Sequence, residues 1–175
     1  FCLGLCSLSF IVTGFTFHIS SIGALSGLSR MDAFGIFLPI SFISAISHLV
    51  AGWASDRTSL KYLLMILLAS LGIGCLGILH LESFWFRLLV ISGFGISGGI
   101  YACLAIVTWP RFYGRKHLGS ISGTFMGVQV FASAIGPPIF GMSESLTGDY
   151  SSAAWIAAIL NLVLLLGASR AVSYY

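Results

Sequence analysis

Long apolar stretches separated by short polar segments form the dominant pattern of this chain. Stretches without Asp, Glu, Lys or Arg run over 1–29, 33–55, 62–81, 88–110, 118–143 and 150–169. A helix needs about 20 residues to cross about 30 Å of hydrocarbon, and each stretch is at least that long. None shows the strict apolar–polar alternation of membrane β-barrel strands. The pattern therefore predicts an all-α, polytopic membrane protein with six transmembrane helices.

Composition supports a lipid bilayer as the environment of the chain. Only 7% of the 175 residues are charged and 58% are hydrophobic, whereas a soluble domain carries about 25% charged residues. The net charge of +3 is small and scattered, which argues against a nucleic-acid partner. We predict one domain over 1–175. Its spans are placed at approximately 1–20, 33–55, 62–81, 88–110, 118–143 and 151–170.

The distribution of Lys and Arg predicts the orientation. One side of the six-span topology carries most of them, namely Arg57, Lys61, Arg111, Arg115, Lys116 and Arg170. The other side carries only Arg30 and Arg87. The positive-inside rule then predicts cytoplasmic termini, and we expect the plasma (inner) membrane. The first residue is Phe1 rather than Met, at the start of an apolar span, so we expect the chain to be part of a longer protein.

Two serine motifs raise the alternative of an intramembrane hydrolase. Residues 95–98 read GISG in the fourth predicted span, where rhomboid-type proteases carry their nucleophile, here Ser97. Residues 119–123 read GSISG, but a nucleophile elbow requires a preceding strand. A serine nucleophile also needs a nearby base, and residues 151–175 contain no histidine. The hydrolase is therefore the least favoured function, and no catalytic residue is predicted.

Metal and cofactor chemistry find little support in the residue pattern. Cys2 and Cys6 lie one helical turn apart, but no acidic residue or histidine is near them in sequence. The histidines are dispersed along the chain at 18, 48, 80 and 117. We predict neither a metal site nor a cofactor.

The loop between the second and third predicted spans carries the most informative motif. Residues 52–61 read GWASDRTSLK. This segment resembles the G-x-L-A-D-R-x-G-R-K motif of the major facilitator superfamily. Four residues match in register: Gly52, Asp56, Arg57 and Lys61. Two positions depart from the motif, with Ser59 in place of glycine and Leu60 in place of arginine.

Two later segments resemble the monocarboxylate and oxalate–formate type branch of that superfamily. Residues 109–119, WPRFYGRKHLG, are similar to its loop between helices ten and eleven. Residues 136–141, GPPIFG, and 147–150, TGDY, are similar to helix eleven and the following turn. The resemblance implies the C-terminal six-helix half of a secondary transporter, built of two inverted three-helix repeats. It also implies a missing N-terminal half, a small-molecule site between halves and alternating access. Arg115 joins the 52–61 motif as a candidate gating residue.

Glycines at four-residue spacing predict close helix packing. Gly95 and Gly99 share one helix face, as do Gly119, Gly123 and Gly127. Small residues allow the close backbone approach that stabilises helix pairs in lipid. Pro137 and Pro138 remove two backbone donors and predict a kink near the outer end of the fifth span, where we expect an outer gate.

Polar side chains deep in the predicted spans are the candidates for substrate contact, because lipid makes them costly unless they face a cavity or a partner. They are Gln129, Tyr101 and His48. By the resemblance, their helices line the central cavity, whereas Asn161 belongs to an outer helix and ranks lower. The alternative role for each is an interhelical hydrogen bond.

Two further points leave the function open at this stage. No Lys or Arg lies well inside a span, which argues against an anionic substrate unless another half supplies the positive charge. A self-contained six-helix channel or carrier that oligomerises to form its pore stays open as the alternative to the transporter half.

Overall fold

The computed structural model describes residues 1–170, which are helical apart from short connections. The helices are α1 (Cys2–Leu25), α2 (Arg30–Gly35), α3 (Phe37–Ser55), α4 (Leu60–Ile78), α5 (Phe84–Tyr113), α6 (Leu118–Thr147) and α7 (Ser151–Arg170). Helices α2 and α3 follow one another as a single apolar segment, so six segments are long and apolar enough to cross a membrane. The predicted all-α fold with six transmembrane helices is confirmed.

Local chemistry explains where several helices begin and end. The Ser29 hydroxyl accepts the Asp32 backbone N–H at 3.1 Å and thereby caps the start of α2. Pro39 is tolerated because it lies in the first turn of α3, where backbone amides lack intrahelical partners. Helices α5 and α6 stop at Gly114 and Gly148, whose φ angles of 68° and 78° suit glycine.

The connections define two ends of the bundle. We call the end formed by the 56–59 and 114–117 loops the basic end, and the end formed by 26–29, 79–83 and 148–150 the far end. Helix α1 runs from the basic end to the far end, whereas α5 runs in the opposite direction.

The helices form two inverted three-helix repeats. The first consists of α1, α2–α3 and α4, and the second of α5, α6 and α7, so α1 corresponds to α5 and α3 to α6. Helix α1 packs mainly against α6, and α3 packs mainly against α5. Exchanging the repeats converts one of these pairs into the other.

Glycines allow backbone contact where these helices cross. A Cβ on Gly95 would lie 2.7 Å from the Ile43 side chain on α3, and one on Gly99 would overlap the Ser44 backbone oxygen. The packing prediction for Gly95 and Gly99 is therefore confirmed. In the same way, a Cβ on Gly93 of α5 would lie 2.5 Å from the Gly74 backbone nitrogen on α4.

Gly119, Gly123 and Gly127 pack against no other helix within the bundle that residues 1–170 form, so their packing role stays a prediction. No atom lies within 4 Å of a Cβ built at any of these three positions, apart from their own helix and neighbours. Their face of α6 is open because α1 and α5 pack against a different side of that helix, through residues such as Gly136 and Phe125.

Candidate functional site

Helices α3 and α6 are the least buried of the membrane segments. Only 11% of the residues in the apolar part of the α2–α3 segment are buried and 6% of those in α6, compared with 56% in α1. These two helices occupy equivalent positions in the two repeats, so their low burial follows the internal symmetry of the fold. The glycines Gly119, Gly123 and Gly127 lie on an uncovered face of α6.

A polar group lies at mid-depth where α1, α5 and α6 meet. The Tyr101 side chain of α5 interacts with the side chains of Ser9 on α1 and Gln129 on α6, and Cys6 lies nearby. Each of these residues lies between apolar stretches of its own helix. The structure thus brings together two of the three predicted substrate-contact residues, Tyr101 and Gln129.

Gln129 is the incompletely bonded member of this group. Its Oε1 atom is buried and accepts no hydrogen bond from any residue in 1–170. Leaving a buried polar atom without a partner costs about 1–3 kcal/mol. The acceptor capacity of this amide oxygen is therefore unused within residues 1–170.

His48 is not brought to this group. It lies on α3 with an exposed side chain, and its backbone nitrogen is close to Gly99 of α5. Tyr101 follows Gly99 by two residues, which is about 200° around the helix. Tyr101 and His48 therefore lie on opposite sides of α5, and the His48 imidazole forms no hydrogen bond with the described residues.

The environment of Asn161 indicates a structural role rather than substrate contact. It is 1% exposed. Its Nδ2 donates to the Ala157 carbonyl at 2.8 Å, and its Oδ1 accepts the Ser7 hydroxyl at 3.4 Å. This is the interhelical hydrogen bond that the sequence left as the alternative role for such residues.

The basic end is organised by cations on helix C-termini. Lys61 Nζ donates to the Ser169 carbonyl of α7 at 2.8 Å, and Arg111 Nη1 donates to the Ser55 carbonyl of α3. Arg57 donates to the Trp53 carbonyl at 3.2 Å and lies 4.4 Å from the centre of the indole ring. Positive charge is favourable at these positions because the last carbonyls of a helix carry partial negative charge.

Asp56 has the opposite relation to its helix. It is the C-terminal cap residue of α3, where the partial charge of the helix end disfavours a carboxylate. The carboxylate is exposed and forms neither a hydrogen bond nor an ion pair within residues 1–170. Gly52 faces open space one turn earlier, and Arg115 is exposed. Parts of the 52–61 motif are thus directed away from the described bundle.

Comparison with known proteins agrees with this architecture. The family model described as Major Facilitator Superfamily matches residues 1–137. The chain belongs to the Major Facilitator Superfamily. Monocarboxylate transporter 11 of Mus musculus is 28% identical over 134 residues, which cover 70% of this chain and 30% of that protein. The chain therefore spans well under half the length of this relative. No solved structure matches the present chain.

As a Major Facilitator Superfamily member, the chain forms six helices that constitute one half of that fold and an integral membrane domain.

Helix α6 continues through Pro137 and Pro138 without interruption, so the kink at these residues stays a prediction. The serine of the hydrolase alternative, Ser97, is fully buried, and its hydroxyl donates to the Phe94 carbonyl at 3.3 Å.

Two sets of polar residues were not identified from the sequence of this superfamily member. Ser9 belongs to the mid-depth group, and its spacing from Cys6 and Cys2 along one face of α1 is the signal that could have identified it. The second set, His18 with Tyr150 and Glu144, lies at the far end. Its members are up to 132 residues apart, and no local pattern joins them.

Proposed function

We propose that this chain is one half of a secondary transporter that moves a small solute across a membrane by alternating access. A second six-helix half would cover the uncovered faces of α3 and α6. The solute would bind between the halves, and a small shift of α6 relative to α1 and α5 would give it access to the mid-depth group of Ser9, Tyr101 and Gln129.

The observation that carries this proposal is the low burial of α3 and α6. Lipid could cover an apolar helix face of any shape, but a row of glycines is suited to another helix that approaches closely. At the basic end of α3, the Asp56 carboxylate and the face of Gly52 have no partner among residues 1–170. A second half would supply both the helices and a partner for the carboxylate.

The chemical class of the solute can be tested directly by measuring uptake. The relative from Mus musculus is named a monocarboxylate transporter, which makes lactate a suitable first solute. A carboxylate would need a cation from the second half, since no Lys or Arg lies at mid-depth here. We expect the full-length gene product in proteoliposomes to show saturable lactate uptake, with neutral solutes of similar size as comparison. Flux that rises linearly with concentration would favour the oligomeric channel instead.

We further propose that the basic end is cytoplasmic and that the membrane is the plasma membrane. An impermeant maleimide added to intact cells should then label Met31→Cys, at the far end, but should label Lys116→Cys only after permeabilisation. Both side chains belong to exposed parts of the structure. Labelling of Lys116→Cys from outside would reverse the orientation.

Asp56 provides a test of gating by the basic end. We propose that its carboxylate contacts the N-terminus of a helix in the second half when the cytoplasmic side is closed. Such a contact is worth about 0.3–1 kcal/mol, so Asp56→Asn should shift the population toward the inward-facing state by about two- to fivefold and slow turnover. Solute affinity should change little.

Alkylation of a cysteine placed in the cytoplasmic cavity measures this shift. The matched control is Glu82→Gln, which neutralises an exposed carboxylate at the far end, where Glu82 pairs with the exposed His80. Equal alkylation and transport rates for Asp56→Asn and the unmodified protein would restrict the motif to a role in topology.

A further inference from the structure

A hydrogen-bonded cluster joins three parts of the chain at the far end. We call it the far-end cluster, and its members are His18 and Ser21 of α1, the Pro137 carbonyl and Glu144 of α6, and Tyr150 before α7. The Tyr150 hydroxyl and His18 Nδ1 are 3.1 Å apart, and His18 Nε2 lies 3.0 Å from the Pro137 oxygen. The Ser21 hydroxyl donates to Glu144 Oε1 at 3.0 Å, and Tyr150 also interacts with Glu144 and Ser21.

The cluster lies on the far-end side of the point where α1 and α6 touch. At that crossing, a Cβ on Gly14 would lie 3.1 Å from the Gly136 carbonyl oxygen, so the two backbones are in contact. Five residues further along α6, a Cβ built at Gly141 would lie 3.5 Å from His18 Cε1, so the imidazole ring packs against this helix. The helices are in close contact at the crossing, and the cluster adds polar contacts between their far ends.

With a neutral imidazole, the geometry defines one tautomer. His18 Nε2–H donates to the Pro137 carbonyl, and Nδ1 accepts from the Tyr150 hydroxyl. Glu144 then accepts a hydrogen bond from the Ser21 hydroxyl, while the hydroxyl hydrogen of Tyr150 points to His18 Nδ1 and not to Glu144. All contacts of the imidazole in this state are between neutral groups.

Protonation of His18 rearranges the cluster without breaking it. Nδ1–H must now donate to the Tyr150 oxygen, which frees the Tyr150 hydroxyl to donate to the Glu144 carboxylate. Both imidazole contacts become charge-assisted, and such bonds are roughly twice as strong as neutral ones. The chain His18–Tyr150–Glu144 also connects a cation to an anion.

The other charged groups at this end do not compete for the imidazole. Asp149 bonds to its own turn, where the Ser151 backbone N–H lowers the pKa of the carboxyl and keeps it ionised. Burial raises the pKa of Tyr150, so this phenol keeps its proton. Arg30 and Asp32 of α2 are exposed, and Arg87 of α5 forms no hydrogen bond or ion pair with the cluster among the described residues.

We propose that the far-end cluster is a proton-operated latch, in which protonated His18 holds the far ends of α1 and α6 and the start of α7 together and a neutral His18 lets them separate. The proposal rests on the proposed transport, since it assigns a pH-dependent closure to the external side of the carrier. We expect closure to be greater at pH 5.5 than at pH 8.

Spin labels on α1 and α6 measure this closure directly. Ser20→Cys and Ser145→Cys place labels at two exposed far-end positions of the full-length gene product, on a cysteine-free background. The ratio of the short to the long inter-label distance should rise about fivefold from pH 8 to pH 5.5. His18→Gln keeps an uncharged donor and acceptor, and it should hold the ratio at the pH 8 value throughout.

His80→Gln is the matched control, since His80 is the exposed far-end histidine and pairs with Glu82. This variant should keep the full pH response. Tyr150→Phe removes the connecting hydroxyl, should weaken the response, and carries the test alone if His18→Gln does not fold. A distance ratio that does not depend on pH, or a response that survives in both cluster variants, would overturn the latch. The measurement needs no solute, so its outcome is separate from that of lactate uptake.

Discussion

Gly136→Ala is expected to reduce the amount of folded protein in the membrane by about tenfold or more. A Cβ at this position would overlap the Phe10 carbonyl oxygen and lie 3.0 Å from the Gly14 nitrogen. Both neighbours are backbone atoms, so α1 and α6 can accommodate the methyl group only by moving apart. Overpacking of this kind costs about 1–3 kcal/mol or more. This packing energy is lost from a helix pair that has no hydrophobic driving force for association in lipid.

The same change on α7 provides the control. Gly167→Ala adds its methyl group at an exposed position where no atom lies within 4 Å, and alanine is a better helix former by about 1 kcal/mol. We expect this variant to match or exceed the unmodified protein in fluorescence-detected size-exclusion chromatography after detergent extraction. Equal yields for the two variants would show that the Gly14–Gly136 crossing does not limit stability.

Gln129→Leu is expected to separate stability from transport. The buried Oε1 has no partner among residues 1–170, and Tyr101 keeps its interaction with Ser9 when Gln129 is removed, so a purely structural glutamine could be replaced by leucine at little cost in stability. A glutamine that binds the solute would instead lose a hydrogen bond in the bound state. We therefore expect normal or raised thermal stability together with a rise in apparent KM of about tenfold or complete loss of uptake.

Ser133→Ala is a suitable comparison for this experiment. It lies one turn further along α6, and its hydroxyl is already bonded to the Val130 carbonyl of its own helix at 2.8 Å. Uptake by this variant should stay within about twofold of the unmodified protein, because no group is left unpaired. If Gln129→Leu transports normally, Gln129 serves only to pack α6 against α1 and α5.

The number of spans was predictable because it depends on local properties. Lipid requires about 20 apolar residues and internally satisfied backbone groups in each segment, and both can be counted along the chain. Helix ends do not coincide with the predicted spans everywhere. Helix α1 continues to Leu25 rather than stopping near residue 20, and the predicted span 33–55 is divided at Ile36. Serine and glycine are compatible with a helix in either environment, so they mark no boundary.

The glycine pattern shows where prediction from sequence stops. Gly95 and Gly99 have the same four-residue spacing as Gly119 and Gly123, and spacing gives only the face that each pair shares. Whether another helix lies on that face depends on the packing of the whole bundle. The first pair contacts α3, while the second faces open space within residues 1–170.

The sequence by itself determined the membrane environment, the six helices and, through the 52–61 motif, the family, because these depend on composition and on residues close together in the chain. Only the tertiary structure decided which polar residues act together. It placed Gln129 beside Tyr101 and Ser9, separated His48 from them by the width of α5, and joined His18 to Tyr150 across 132 residues. Helix crossings such as Gly14–Gly136 set these distances, because the partner of each helix face is selected by close packing along its full length.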